Sequence, residues 1–172
     1  MLKCGIDIGG TNIKFGFFDG EKKVNSVVIK TPKVKEKVIP SIVCEIKKKY
    51  KPSDILGYTV AIPGVVLNDV VVFAPNTDIF GLNFKEELGL LLENDNIIVE
   101  NDANLQAMAE AKATGLDDLI LISIGTGLGG GIIIDGKLLN KNGFAGEIGH
   151  IKVHFGANSR MCGCGKLGCS EA

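Results

Sequence analysis

The chain has 172 residues, is 45% hydrophobic and 23% charged, and carries a formal net charge of −1. That is enough chain to bury a real core as one large domain or two small ones. The near-neutral balance gives no electrostatic reason to expect nucleic acid or an anionic membrane as partner. No apolar run reaches a membrane-spanning length, and Met1-Leu2-Lys3 leads straight into a strand pattern, so a cytoplasmic location is the default expectation.

In chain order, residues 2–8, 13–18 and 24–29 read as three short strands, separated by Gly9-Gly10-Thr11-Asn12 and by Asp19-Gly20. Residues 39–49 carry Ile39, Ile42, Val43 and Ile46 at the spacing of one helix face, with Pro40 tolerable in the first turn. A buried strand over 55–62 is stopped by Pro63-Gly64. Residues 70–73 form a further strand, 84–92 a short helix, 97–99 a strand, and 103–113 an alanine-rich helix that Gly115 can end. The opening pattern then returns: Ile6-Asp7-Ile8-Gly9-Gly10-Thr11 is echoed by Ile122-Ser123-Ile124-Gly125-Thr126-Gly127, and each copy closes in Asp-Gly at the same offset. This repeat predicts two related lobes, 1–115 and 116–172, with a ligand cleft between them.

The chain holds 23 glycines, concentrated in these turns and near the end. Residues 125–130 satisfy the G-x-G-x-x-G pattern, but residues 131–136 read as a strand closing in a hairpin rather than the helix a dinucleotide fingerprint needs. No Walker A sequence occurs. The remaining reading is a pair of hairpin turns whose N–H groups point at phosphate oxygens; tight turns in a twisted sheet are the plainer alternative. Asp7, inside the first strand, suits a water-mediated Mg²⁺ contact or a turn cap. Val99-Glu100-Asn101-Asp102-Ala103-Asn104 joins a strand to a helix, where ligands of α/β folds collect. Asp102 sits where a catalytic base belongs, although on residue type alone a helix cap is the stronger reading. Of five cysteines, Cys162, Cys164 and Cys169 crowd into one segment. With an upstream imidazole, His150 or His154, they supply the closed Cys₃His set of structural zinc.

Together these residues resemble a known family. Asp7-Ile8-Gly9-Gly10-Thr11-Asn12 and Ile124 to Gly131 resemble the two phosphate motifs of the superfamily that joins actin, hexokinase and the heat-shock chaperone ATPases. Glu100-Asn101-Asp102-Ala103-Asn104, Gly146-Glu147-Ile148-Gly149-His150 and Cys162-Gly163-Cys164-Gly165-x-x-Gly168-Cys169-x-Glu171 resemble the signature of the ROK (repressor, open reading frame, kinase) family. The resemblance implies an α/β, ribonuclease H-like, actin/hexokinase-type two-lobed fold with mixed sheets and an incomplete second lobe. It implies ATP-dependent phosphorylation of a hexose or N-acetylhexosamine, with Asp102 as general base, which reverses the capping preference.

By the same resemblance, Gly64, Asn76, Asn101, Glu147, His150 and Glu171 contact the sugar beside Asp102. Asp7, Gly9, Gly10, Thr11, Asn12, Lys14, Gly125, Thr126, Gly127 and Gly129 hold ATP with Mg²⁺. His150, Cys162, Cys164 and Cys169 hold zinc, which favours His150 over His154. Metal removal is expected to weaken sugar binding without touching ATP directly. The short length relative to the family predicts apolar surface left for self-association, toward a homodimer. Competing readings are a non-catalytic sugar- and zinc-binding remnant and a sugar-responsive regulator of the same family.

Overall fold

The computed structural model describes residues 1–74, 77–125, 127–140 and 143–172. Two compact units emerge, Met1–Asp102 and Ala103–Ala172. Among the described residues no helix is long and apolar enough to cross a membrane.

The first unit is built on a five-stranded mixed sheet of order β3-β2-β1-β4-β7. Its strands are β1 (Leu2–Ile8), β2 (Asn12–Asp19), β3 (Lys22–Lys30), β4 (Ile55–Ile62) and β7 (Ile97–Asn101). The first three form an antiparallel meander, while β4 pairs parallel with both β1 and β7. Alternation explains which face is covered. Cys4, Ile6 and Ile8 of β1 and Ile13, Phe15 and Phe17 of β2 are buried, with polar or half-buried residues between them. Helix α1 (Val38–Lys49) lends the same core Val38, Ile39, Ile42, Val43 and Ile46, a stripe at helical spacing. Helix α2 (Phe84–Leu92) adds Phe84, Leu88 and Leu92, each four residues from the next. The start of α2 is specified locally: the Asn83 side chain accepts from the Glu86 N–H at 3.1 Å and donates to the Glu86 carboxylate at 3.0 Å.

The strand read over 70–73 is β6 (Val70–Phe73), and it pairs with β5 (Val65–Leu67), which the sequence reading did not anticipate. Asn68 and Asp69 connect them with φ of 50° and 65°, the left-handed pair that a two-residue hairpin requires. Asn-Asp carries that turn without glycine, so the usual signal was missing.

In the second unit, β8 (Leu119–Ile124) and β9 (Leu128–Ile134) flank the second glycine turn, and β10 (Lys137–Leu138) closes on β9 through Asp135 and Gly136, with φ of 50° and 69°. Each unit therefore carries the strand, glycine turn, strand and Asp-Gly hairpin of the repeat. Helix α3 (Asp102–Thr114) starts one residue earlier than the sequence suggests. From Ala103 onward α3 belongs to the second unit, and it lies close against the glycines of β9. A Cβ on Gly131 would stand 2.6 Å from the Ala107 Cβ and 2.9 Å from the Ala103 carbonyl oxygen. Only a glycine strand lets the alanine face approach so near. Ile120, Ile122 and Ile124 of β8 remain exposed.

Candidate functional site

The first glycine turn comes directly after β1. Gly9 N–H donates to the Asn12 carbonyl at 2.9 Å, and Thr31 braces the turn twice. Its N–H donates to the Thr11 carbonyl at 3.0 Å, and its hydroxyl to the Gly9 carbonyl at 2.6 Å. Gly10 and Thr11 are exposed at the tip, with amides available to a ligand. Asp7 and Lys14 face each other across the β1–β2 pair, Nζ to Oδ2 3.1 Å, both well exposed. Lys14 and Asp7 thus flank the turn as an ion pair. Thr31 is a turn residue that sequence reading missed, because it comes just after β3, twenty-two residues from Gly9.

The end of β7 supplies Asn101 and Asp102. Asn101 is buried, and its side-chain amide donates to the Gly64 carbonyl at 2.8 Å. Gly64 has φ of +127°, and a Cβ there would collide with the Phe73 carbonyl oxygen, so glycine is obligatory on both counts. Two residues predicted to touch one ligand, Gly64 and Asn101, are therefore in direct contact. Asp102 is exposed at the first position of α3. Asn76 and Thr126, also predicted contacts, lie outside the described residues.

The second glycine turn is closed by a bond from Gly125 N–H to the Gly127 carbonyl at 3.0 Å. The next amide, Leu128 N–H, donates to Glu171 Oε2 at 3.2 Å. Gly129 and Gly130 continue into β9 against Ala103 and Ile148 respectively.

The remaining cluster gathers one ligand atom from each of His150, Cys162, Cys164 and Cys169, all within 4.8 Å of one another. The Cys164 and Cys169 sulfurs are 3.7 Å apart, and the Cys162 sulfur is 3.5 Å from His150 Nδ1. A tetrahedral ion with Zn–S near 2.3 Å and Zn–N near 2.0–2.1 Å requires edges of about 3.5–3.8 Å; these two edges match it, and three thiols with one imidazole are the donor chemistry of a structural metal site. His154 is not part of the cluster. It opens instead onto a cavity of about 380 Å³ with Asn158, Arg160, Gly168, Cys169 and Ala172.

Two carboxylates flank His150: Glu147 Oε2 lies 3.7 Å from Nε2 and Glu171 Oε1 3.6 Å from Nδ1. The Cys162 thiol donates to Glu171 Oε1 at 3.1 Å. That bond, the Leu128 N–H and the His150 charge hold Glu171 below the usual carboxylate range. Burial pushes the Cys162 thiol up to about 12, while the Lys166 backbone N–H pulls Cys164 down. A bound metal cation would draw the proton off such a thiol. Of the predicted sugar contacts, Gly64 and Asn101 thus belong to the first unit, and Glu147, His150 and Glu171 form a second group at the His/Cys cluster.

The family model for the ROK family matches residues 3–172, and the chain belongs to that family. It is 36% identical over 177 residues to a glucokinase from Streptomyces coelicolor, an alignment covering 99% of this chain and 55% of the relative. An N-acetyl-D-glucosamine kinase from Vibrio parahaemolyticus is 30% identical over 188 residues, covering 98% of this chain and 61% of the relative. Among solved structures, the fold matches a ROK family glucokinase from Streptomyces griseus in complex with glucose and AMPPNP, with a TM-score of 0.86 and 36% identity over 99% of this chain and 56% of that one. The chain spans about half the length of the curated glucokinase it matches. The mixed α/β architecture is that of the actin/hexokinase-type fold anticipated from the two phosphate motifs.

Proposed function

We propose that this chain takes part in ATP-dependent phosphorylation of a hexose or N-acetylhexosamine, with Asp102 as general base. The observation that carries the reading is the position of Asn101-Asp102, at the carboxyl end of β7 and the first turn of α3, in a ROK chain whose two glycine turns come after β1 and β8. Phosphoryl transfer asks the protein chiefly for positioning and charge neutralisation. Asp102 is exposed to an incoming hydroxyl; it takes that proton as the sugar oxygen attacks the γ-phosphate, and ADP leaves. Asn101, locked to the Gly64 carbonyl, presents a fixed amide to the same sugar. Glu147, His150 and Glu171 accept or donate to further sugar hydroxyls, and the amides of the Gly9–Asn12 and Gly125–Gly129 turns hold the phosphates. Asn76 and Thr126 keep their roles as expected sugar and ATP contacts.

Zinc, when bound by His150 Nδ1 and the three cysteine sulfurs, supplies structural bracing and no open coordination position. Nε2 of His150 faces Glu147, so a metal held at Nδ1 would fix the imidazole's orientation from one side and leave the other usable. Mg²⁺ enters with ATP, and Asp7 is the carboxylate beside the first turn.

The test is ADP release with Mg²⁺ across hexoses and N-acetylhexosamines, with Asp102→Asn alongside. We expect turnover on at least one sugar, falling about 10²–10⁴-fold in the variant. A folded, zinc-loaded sample that turns over no sugar would reject the reading. A second reading, sugar and zinc binding without turnover, is favoured by the exposed isoleucine face of β8, an apolar surface with no cover among the described residues. In that case sugar binding would persist while ADP release stayed absent.

A further inference from the structure

We infer that Glu171 is a positioning residue that ties the metal loop to the second glycine turn, so that metal and nucleotide binding reinforce one another. The inference rests on the proposed role of this turn in holding nucleotide phosphates. Its carrying observation is one residue whose side chain is bonded to the turn while its backbone is bonded to the metal loop. Oε1 lies 3.1 Å from the Cys162 sulfur and 3.6 Å from His150 Nδ1, beside the metal set, and its bond to the thiol would be given up once that sulfur took a metal. Oε2 accepts from the Leu128 N–H at 3.2 Å. The same oxygen fills the space beside the turn: a Cβ on Gly127 would lie 2.7 Å from it, and one on Gly149 3.3 Å. Glycine at both positions is what lets the carboxylate reach the Leu128 amide.

The backbone carrying Glu171 is equally tied to the metal loop. Glu171 N–H donates to the Gly149 carbonyl at 3.1 Å, next to His150, and Ala172 N–H to the Cys169 carbonyl at 3.1 Å. Ser170 is held twice, its N–H by the Ile151 carbonyl at 2.9 Å and its hydroxyl by the Ile148 carbonyl at 2.6 Å. Residue 171 is therefore fixed by the segments that bear His150 and Cys169, both members of the metal set. A metal that draws these segments together holds the carboxylate on Leu128 and keeps the 125–128 turn in one conformation. Without the metal the segments loosen, the Leu128 N–H loses its fixed acceptor, and the turn pays an ordering cost when phosphates bind. Reciprocity then requires that nucleotide tighten metal binding by the same factor. This differs from the sequence expectation that metal removal leaves ATP untouched.

The experiment uses the 172-residue chain, zinc-loaded and chelator-stripped, as wild type, Glu171→Ala and Glu171→Gln. Amide exchange at Leu128 is followed by NMR, and affinity is measured with a fluorescent ADP analogue. Stripping wild type should speed Leu128 exchange and weaken nucleotide binding, each by about tenfold, the scale of one charge-assisted hydrogen bond. Zinc-loaded Glu171→Ala should start at the stripped values and respond no further to chelation. Glu171→Gln keeps an acceptor oxygen and should retain part of the response. Unchanged Leu128 exchange on stripping wild type overturns the link, as does an undiminished chelation response in Glu171→Ala. If nucleotide binds to neither form, the phosphate reading of the turn fails, and Leu128 exchange still judges the role of Glu171.

Discussion

Gly131→Ala is the substitution for which the structure yields the firmest magnitude. Gly131 lies in β9 against α3, and an added Cβ would stand 2.6 Å from the Ala107 Cβ, 2.9 Å from the Ala103 oxygen and 3.3 Å from the Asn104 Cα. Carbon atoms rest at about 3.5–4.0 Å, so the helix and strand must separate by about 1 Å. Two of the three obstacles are backbone, which no rotamer change can move aside. Overpacking of this kind costs about 1–3 kcal/mol, and a chain of this size loses about 2–4 °C in Tm for each kcal/mol. Asp102, proposed above as the general base, opens the displaced helix, and a misplacement of about 1 Å at a reacting group can cost about 10²-fold in rate. Urea denaturation of zinc-loaded protein reads the first effect and ADP release the second. The double variant Gly131→Ala/Ala107→Gly removes the shortest contact and leaves the one to Ala103. It should therefore be less destabilised than the sum of the two single variants. Wild-type stability in Gly131→Ala, or strict additivity in the double variant, would refute the reasoning.

Two further outcomes are expected, one from half-buried Thr31 and one from buried Cys4 and Tyr58. Thr31→Val deletes the 2.6 Å bond to the Gly9 carbonyl and should cost about 1 kcal/mol; nucleotide affinity, measured by titration, should fall with it, and an unchanged affinity would remove Thr31 from the phosphate turn's support. Burial pushes Cys4 from an ordinary 9.0 to about 12, and burial together with the nearby Cys4 pushes Tyr58 from 10.0 to about 12. Both stay protonated in the folded chain while the unfolded chain ionises, so the unfolded state binds fewer protons above about pH 9. The contribution of these two groups to stability is then flat below about pH 9. It declines from about pH 9 for Cys4 and from about pH 10 for Tyr58, by about 1.4 kcal/mol per pH unit for each group, until the folded values are reached. Denaturation midpoints across about pH 8–11 measure the slope, and Cys4→Ala should flatten its first part; an unaltered slope in that variant would show that Cys4 is not its source.

What the sequence alone determined was local. Alternating Ile and Phe in β1 and β2, the helical stripe of α1, the Asp-Gly hairpins and the crowded cysteines each depend on residues a few positions apart, where steric and ligand-spacing rules act directly. Asn101-Asp102 was legible as a strand-to-helix junction for the same reason. The tertiary structure decided what depends on distant segments meeting. It put His150 and not His154 beside the three cysteines, the choice that the family resemblance favoured and that spacing alone left open. It brought Thr31 to Gly9, Asn101 to Gly64, and Glu171 to Leu128, contacts that sequence distance hides because each needs a sheet register or a folded loop to close. The hairpin of β5 and β6 was missed for a local reason, a left-handed Asn68-Asp69 pair in place of glycine. Glycine marks where backbone comes close, but only the packed chain shows what it comes close to: at Gly127 and Gly149, the carboxylate of Glu171.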